Sequence, residues 1–357
     1  MKRYSLILHV VTAVLVVCCS SAYSYESKKL PQYNLKNETK NLLTDTYSPE
    51  VKFLKMSEEA LFTMAMNGSS DDQFQIGMMF GQGEIVKRNF INCVKLLEKA
   101  AGKGNADASF LLGTIYLKGG SIFEEITTEV EYGGIVIPGD FPYDVTMAFK
   151  YFLISGNQGD KLSHDVCCII KKQLLDNDAD NAKAEKMLVS LQESSKSGNA
   201  LAQRFLAELY SEGKMVKQDD HIAFDLFKES AEHGDAWGQY NTARKYISGL
   251  GVEQDTIKGF EWMKKAAEHN LAAAQFDLSV LYYLGTGTAK NKQMGYTWLL
   301  VAKANGHKEA ESLVDEADNG GLTPEEEKNA RELAAKLIKQ ISPPKTTGKL
   351  LTALKRF

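Results

Sequence analysis

The sequence predicts an all-α protein, a solenoid of stacked helix–turn–helix repeats, with one small β-hairpin inserted in the second repeat. Two observations predict this fold. Glycine, tyrosine and aspartate residues recur every 36 residues along most of the chain, and each repeat holds two segments with the apolar spacing of a helix. One helical hairpin cannot bury its apolar face alone, so we expect the repeats to stack on one another.

The repeat register is clearest in the second half of the chain, where a shift of 36 residues carries Tyr210 onto Tyr246 and then onto Tyr282. The third repeat is degenerate and keeps only its closing helix. Within 69–310 we count six repeats, at 69–104, 105–159, 160–198, 199–234, 235–270 and 271–306.

The repeat 235–270 shows how each unit is built. Its first helix is predicted near Ala236 to Ser248, and Gly249 ends it because glycine adopts the left-handed conformation at little cost. Asp255 is an N-cap type of residue and begins the second helix. We expect the repeated tyrosines, such as Tyr246, to stack from unit to unit.

The two ends of the chain depart from the repeat. Lys2 and Arg3 precede an apolar run over 6–19 that ends in small residues, which predicts a signal peptide at 1–22 and an exported chain. The alternative is an uncleaved anchor and a membrane-bound regulator, although the run is shorter than the ~20 residues of a spanning helix. The other segments are expected to be a linker and capping helix at 23–68, capping helices at 311–341 with a capping box from Thr323 to Glu326, and a basic tail at 342–357.

The run A-x-x-Q-x-x-L-A-x-x-Y-x-x-G-x-x-V-x-x-D, closing with A-E-H, resembles the Sel-one-like repeat (SLR), a relative of the tetratricopeptide repeat. The stretch YISGLGVEQDTIKGFEWMKKAAEHN, at 246–270, is close to the family pattern throughout, and the likeness covers about 69–340. It implies a right-handed α/α superhelix that serves as a protein-binding scaffold without catalysis. Exported bacterial members are linked to envelope signalling or host contact, which implies a periplasmic or secreted protein. Eukaryotic members imply the endoplasmic reticulum lumen.

Composition and motifs narrow the function classes. The chain has 42 basic and 46 acidic residues, a balance that argues against a nucleic-acid partner. It contains no Gly-x-Ser-x-Gly, Walker or His-Glu-x-x-His motif and no zinc-spaced cysteine set. We therefore predict a protein that has no enzymatic activity and no cofactor and that contacts the membrane only during its export. The alternative is a hydrolase acting on cell-wall or β-lactam material.

The positions of the histidine and cysteine residues favour structural roles over metal-binding or catalytic ones. His233 and His269 lie one repeat apart, yet each closes a second helix, where an imidazole meets the negative helix end, so no metal is expected. Cys93, Cys167 and Cys168 remain once the signal is removed. We expect buried free thiols, with a bridge from Cys93 to Cys167 or Cys168 as the alternative.

The candidate partner-binding residues lie on the first helices, at positions that vary between repeats. In solenoids these helices commonly line the concave groove, where we expect another protein or peptide to bind. The residues are Arg204, Tyr240 and Phe276 at one position, with Glu208 and Arg244 at another.

The insertion at 121–143 contains a segment that alternates like a β-strand. Gly133-Gly134 is a two-residue hairpin signal that pairs Tyr132 with Ile135. The resulting acidic face would carry Glu125, Glu129 and Glu131. Whether this hairpin packs on the solenoid or forms part of the partner site is left open by the sequence.

Overall fold

The computed structural model describes residues 56–83, 86–118, 129–132, 135–138, 144–176, 181–317 and 322–341. These ranges form fifteen α-helices and two short β-strands. The elements are α1 (Glu58–Asn67), α2 (Ser70–Gln82), α3 (Phe90–Gly102), α4 (Ala106–Lys118), β1 (Glu129–Tyr132), β2 (Ile135–Pro138), α5 (Val145–Asn157), α6 (Lys161–Asp176), α7 (Asn181–Lys196), α8 (Ala200–Glu212), α9 (Asp220–Glu232), α10 (Ala236–Ser248), α11 (Thr256–Glu268), α12 (Ala272–Leu284), α13 (Lys292–Ala304), α14 (Lys308–Ala317) and α15 (Pro324–Ile341).

The chain divides into two compact units. Of the described residues, those from 56 to 170 form unit 1 and those from 171 to 341 form unit 2. In unit 1, α2 packs on α3 and α4 packs on α5. The aromatic rings of Phe110 and Phe152 meet edge to face at 5.8 Å, and Phe152 lies so close to Gly113 that any side chain there would contact its ring. Small residues therefore let the paired helices approach closely.

The strands β1 and β2 form an antiparallel pair in unit 1. Tyr132 lies opposite Ile135 and Val130 lies opposite Ile137. The backbone of β2 lies beside α2 and α3. The glycine turn and the rest of the insertion lie outside the described residues, and only the backbone of the strands is described.

Unit 2 holds the most regular repeats. The helices pair as α8 with α9, α10 with α11 and α12 with α13, and α9 and α11 each also pack on the first helix of the next pair. One buried cluster in this unit includes Met263, Leu278 and Trp298, one from each of three successive helices. Because its members come from neighbouring repeats, the core of one repeat is completed by the next.

Capping follows the repeat register as predicted. Helix α10 spans Ala236–Ser248 and Gly249 ends it with φ at 73°. The side chain of Asp255 accepts a hydrogen bond from the backbone N–H of Lys258 at the start of α11. At α15 the predicted capping box is present, since the Thr323 N–H donates to Glu326 Oε2 at 2.8 Å and the Glu326 N–H donates to Thr323 Oγ1 at 3.3 Å.

The repeated tyrosines do not stack on one another as expected. Tyr246 meets Phe224 edge to face, with ring centroids 5.1 Å apart, and Tyr282 meets Phe260 in the same geometry at the same distance. In both cases the phenylalanine belongs to the second helix of the preceding repeat. An edge-to-face pair avoids repulsion between the electron-rich ring faces, so it is favoured over a face-to-face stack.

The degenerate third repeat contains two helices, α6 and α7, with residues 177–180 between them outside the described part. Helix α7 packs on α8 of the next repeat. The buried residues of α7 are Ala184, Met187, Leu191 and Ser195. Their spacing follows one face of the helix, which explains why the closing helix remains recognisable in the sequence.

Candidate protein-binding face

The predicted contact residues of unit 2 fall on three first helices, α8, α10 and α12. The structure gives them three different environments. Arg204 and Glu208 belong to a buried charge network, Phe276 belongs to the core, and Tyr240 and Arg244 lie at the surface of α10 with Trp237 beside them.

Arg204 is only 4% exposed, and its guanidinium is held by carboxylates. Its Nη1 donates to Glu208 Oε1 at 2.6 Å, one turn away on α8. Its Nε lies 3.1 Å from Oδ2 of Asp235, the N-cap residue of α10. A buried arginine costs a large desolvation energy unless it is paired in this way. Arg204 therefore joins α8 to the next repeat and offers little surface to a partner.

Glu208 also forms an ion pair with Lys171 of α6. Burial by itself would raise the pKa of Glu208, but the positive charges of Arg204 and Lys171 and their hydrogen bonds outweigh burial and hold this pKa below its usual value. The carboxylate is 21% exposed. Glu208 thus stays ionised at neutral pH, and its carboxylate pairs with both Arg204 and Lys171.

Phe276 is partly buried, and its side chain packs towards the interior of its repeat. Its ring stacks on the imidazole of His307, with centroids 4.4 Å apart and planes 10° apart. It also packs against a buried cluster that includes Tyr296 and Leu299 of α13. Its contacts are therefore with the protein's own core.

Tyr240 is half-buried, and its hydroxyl donates to Asp277 Oδ2 of α12 at 2.9 Å. The guanidinium of Arg244 lies 5.6 Å from the centre of the Tyr240 ring, within cation–π range, and Arg244 is exposed. The ring of Trp237 meets Tyr240 edge to face at 5.6 Å and is 37% exposed. We call Trp237, Tyr240, Arg244 and Asp277 the aromatic–arginine surface.

Sequence reasoning missed Trp237 and Asp277. Trp237 lies three residues before Tyr240 on the same helix, a spacing that places two side chains side by side. The register equivalents of Trp237 are Leu201 and Ala273, so an indole at this position is particular to one repeat. That difference is a signal the sequence contains. Asp277 gave no such signal, because its role depends on a contact between repeats.

The acidic face predicted on the hairpin is described only in part. Glu129 and Glu131 occupy alternate positions of β1, opposite Pro138 and Val136. Glu125 lies outside the described residues. The role of these three residues in binding stays a prediction.

The histidines that close second helices have the structural positions expected of them. His233 and His269 are the C-cap residues of α9 and α11. The Nδ1 of His233 lies 2.9 Å from Oε1 of Gln203, a hydrogen-bond distance. Among the described residues, no group of three or more His, Cys, Asp and Glu side chains is placed to hold a metal ion.

Among the described residues, Cys93, Cys167 and Cys168 are not joined by a disulfide, and Cys168 is only half-buried. Cys93 and Cys167 are buried, and the Sγ of Cys167 lies 3.9 Å from the carbonyl oxygen of Phe149. Burial raises the pKa of the Cys93 thiol to about 12, so it is protonated and unreactive at neutral pH. Within the described ranges, no helix combines the length and the apolar character needed to cross a membrane.

These features define a class, an α-helical repeat protein whose units are helix–turn–helix pairs. The family model for the Sel1 repeat matches five segments, at residues 70–105, 131–160, 200–235, 238–271 and 272–307. The chain therefore belongs to the Sel1 repeat family. The match omits the degenerate repeat at 160–198, and proteins of this family typically serve as protein-interaction scaffolds.

Solved structures with the same repeat resemble the chain. A Sel1 repeat protein from Oxalobacter formigenes is 23% identical, with 72% of this chain and 68% of that chain covered and a TM-score of 0.44. A protective antigen with an SLR fold from uropathogenic Escherichia coli strains is also 23% identical, with 84% and 66% covered and a TM-score of 0.39. A search of curated proteins gave no significant match.

Proposed function

We propose that this chain is an exported, non-enzymatic scaffold that binds a segment of another protein at the aromatic–arginine surface. In this proposal the first helices of unit 2 line the groove of a right-handed α/α superhelix. Export follows from the signal-like residues 1–22 and carries the protein to the periplasm or the medium, with a role in envelope signalling or host contact. The repeat family supports the scaffold role, and the structure supplies a surface suited to it.

The observation that carries the proposal is the fixed yet accessible indole of Trp237. It is 37% exposed, and it rests against a tyrosine that is itself held by Asp277 of the next repeat. Binding hot spots are enriched in tryptophan, tyrosine and arginine, because such side chains bury a large area and lose little entropy when they are already held in place. Here all three types lie together.

The chemistry of the surface specifies the partner segment. Arg244 is an exposed cation beside an exposed ring. We expect a peptide segment that places an apolar side chain on Trp237 and a carboxylate near Arg244. Charge pairing at the rim of an interface mainly affects the association rate and its salt dependence, whereas the buried ring contact contributes most of the affinity.

A peptide-array screen followed by calorimetry tests the proposal. For a peptide that binds the wild-type chain, Trp237→Ala should weaken affinity by roughly 30-fold or more, and Arg244→Glu should weaken it and remove most of its salt dependence. Ile257→Ala and Lys290→Glu are matched controls, since both residues are exposed and neither lies on α10 or α12, the helices that carry this surface. Equal binding by all four variants would rule out the aromatic–arginine surface as the site.

The exported location has its own test. Mass spectrometry of the native protein should find a chain that begins at Tyr23. A native chain that retains residues 1–22 would favour the membrane-anchored regulator instead.

A further inference from the structure

Two Asn–Gly pairs of the described chain lie at the end of a helix. Asn67–Gly68 ends α1 and Asn305–Gly306 ends α13. A shift of 36 residues relates Lys103, the C-cap residue of α3, to Asn67, and it relates His269, the C-cap residue of α11, to Asn305. Both pairs therefore occupy the same position of the repeat, the end of a second helix. A third pair, Asn319–Gly320, lies outside the described residues.

An Asn–Gly sequence is prone to spontaneous deamidation, because glycine has no Cβ to keep its backbone nitrogen away from the preceding side chain. That nitrogen loses its proton and bonds to Cγ of the asparagine, the bond from Cγ to the amide nitrogen breaks, and ammonia leaves. Water then opens the resulting cyclic imide at either carbonyl carbon, which gives aspartate or isoaspartate. Water is the only co-reactant, so the surroundings of each pair decide whether it reacts.

The backbone nitrogen of the attacking glycine is held in the same way in both pairs. The N–H of Gly68 donates to the carbonyl oxygen of Ala65 at 3.0 Å, and the N–H of Gly306 donates to that of Lys303 at 3.0 Å. Either nitrogen must leave this bond before it can attack. The backbone hydrogen bond therefore does not distinguish the two pairs, whereas the asparagine side chains do.

The two asparagine side chains have different surroundings. The Nδ2 of Asn305 donates to Asn270 Oδ1 at 2.7 Å and to Oε1 of the buried Gln275 at 2.8 Å. Asn67 is exposed, and its Nδ2 donates to the backbone oxygen of Thr63, a residue that is also exposed. Turning Asn305 towards its glycine leaves a buried acceptor unpaired, which is costly, whereas Asn67 exchanges its hydrogen bond for one with water.

We propose that Asn67–Gly68 is a site of spontaneous deamidation, and that the hydrogen bonds of Asn305 protect the matching pair at the end of α13. The reaction is the hydrolysis of a side-chain amide, and its only substrate besides the chain is water. The site lies in unit 1, whereas the aromatic–arginine surface lies in unit 2. The proposal therefore does not depend on the function proposed above.

Deamidation changes the junction between α1 and α2. Either product places a carboxylate at the C-terminal end of α1, where the partial charge of the helix is already negative. Isoaspartate also adds one carbon atom to the backbone, two residues before the capping box of α2, in which Ser69 and Asp72 bond each other's backbone N–H groups. Since α1 packs on α2 and α3, both changes should loosen α1 from these helices.

Peptide mapping of the full-length protein after incubation at mildly alkaline pH tests the proposal. Asn67 should convert to aspartate and isoaspartate roughly ten-fold faster than Asn305, or more. In Asn67→Gln no conversion should occur at this position over the same period, because a glutamine side chain must close a larger ring that forms more slowly. Hydrogen exchange in α1 should rise with incubation in the wild type and not in Asn67→Gln.

The matched variant for the protected pair is Asn270→Gly, which removes one acceptor of Asn305. Asn270 has a φ of 64°, and the register places Gly234 and Gly306 at the same position of their repeats. Glycine therefore keeps the backbone as it is. In this variant Asn305 should deamidate several times faster than in the wild type, while the rate at Asn67 should not change.

Two results would overturn the proposal. One is conversion of Asn67 in the wild type at a rate no higher than that of Asn305. The other is an Asn305 that reacts as slowly in Asn270→Gly as in the wild type, which would show that side-chain hydrogen bonds do not protect the pair. A thermal melt reports whether Asn270→Gly stays folded during the incubation, and if it does not, the two rates in the wild type decide.

Discussion

The hydroxyl of Tyr240 donates a 2.9 Å hydrogen bond to Oδ2 of Asp277, which lies on the first helix of the next repeat. This bond fixes the ring that supports Trp237 and forms a polar link between two repeats. Burial of the phenol, reinforced by the charge of Asp277 and by this hydrogen bond, raises the pKa of Tyr240 to about 12. The phenol therefore remains a donor over the whole physiological range.

We expect Tyr240→Phe to destabilise the protein by about 1–2 kcal/mol, because Asp277 loses a donor in a partly buried setting. Urea unfolding measures the change. Tyr283→Phe is a matched control, since Tyr283 is also half-buried and its hydroxyl makes no hydrogen bond to any described residue. An equal loss in both variants would show that the link to Asp277 contributes nothing.

The same tyrosine predicts a pH dependence at the alkaline end. The pKa of Tyr240 is higher in the folded state than the ~10 of a tyrosine in an unfolded chain. The contribution of Tyr240 to the free energy of unfolding is therefore complete below pH ~10, and it is lost as the pH rises towards 12. Chemical denaturation at several pH values should show this decline in the wild type. The decline should be smaller in Tyr240→Phe.

Glu208→Gln should destabilise the protein by about 2–3 kcal/mol, since it leaves Arg204 and Lys171 with one anion fewer in a site that is largely closed to water. The pKa of Glu208 is lowered in the folded state. The contribution of Glu208 to the free energy of unfolding is therefore fully present above the ordinary pKa of a glutamate. It is lost as the pH falls through the lowered pKa of the folded state. Thermal unfolding between pH 3 and 7 should show that the stability of the Glu208→Gln variant depends less on pH than that of the wild type.

The control for this prediction is Glu212→Gln on the same helix. Glu212 pairs with Lys214 at 2.9 Å, but both side chains are about half exposed. Exposed pairs contribute at most about 1 kcal/mol. A larger loss from Glu212→Gln than from Glu208→Gln would contradict the role given to the buried network.

The 36-residue register made much of this fold predictable. It gave the ends of α10 and the cap at Asp255 correctly, because glycine and N-cap residues act locally and recur in every repeat. The environment of Arg204 could not be obtained in the same way. Its position varies between repeats, which suggests a surface residue, but Arg204 is buried and pairs with Asp235 of the next repeat. Contacts between repeats are set by packing and not by spacing alone.

Gly251→Ala should be far more damaging than Gly234→Ala. Both glycines have left-handed φ values, 76° and 92°, so each variant should lose about 1–2 kcal/mol to backbone strain. A Cβ on Gly251 would also clash with the carbonyl oxygen of Asp220, whereas one on Gly234 meets nothing within 4 Å. We expect a further loss of about 1–3 kcal/mol for Gly251→Ala. Equal midpoints in urea would show that the loop does not need this close approach.

A gain in stability is expected at the C-cap of α11. Gln239 is 4% exposed, and its Oε1 has no hydrogen-bond partner among the described residues. In the next repeat the equivalent oxygen, on Gln275, accepts a 2.8 Å hydrogen bond from Asn305 Nδ2. Since Asn305 is the register equivalent of His269, His269→Asn should supply the missing donor and stabilise the protein by about 0.5–1.5 kcal/mol.

His233→Asn is the matched control for this prediction. His233 already lies within hydrogen-bond distance of the Gln203 oxygen, so the exchange there should bring no gain. Differential scanning calorimetry of the two variants separates a general preference for asparagine at helix C-caps from the specific rescue of Gln239. A rise in Tm for His269→Asn alone would support the rescue, because the oxygen of Gln239 lacks a donor whereas that of Gln203 already lies beside His233. Equal shifts in both variants would contradict it.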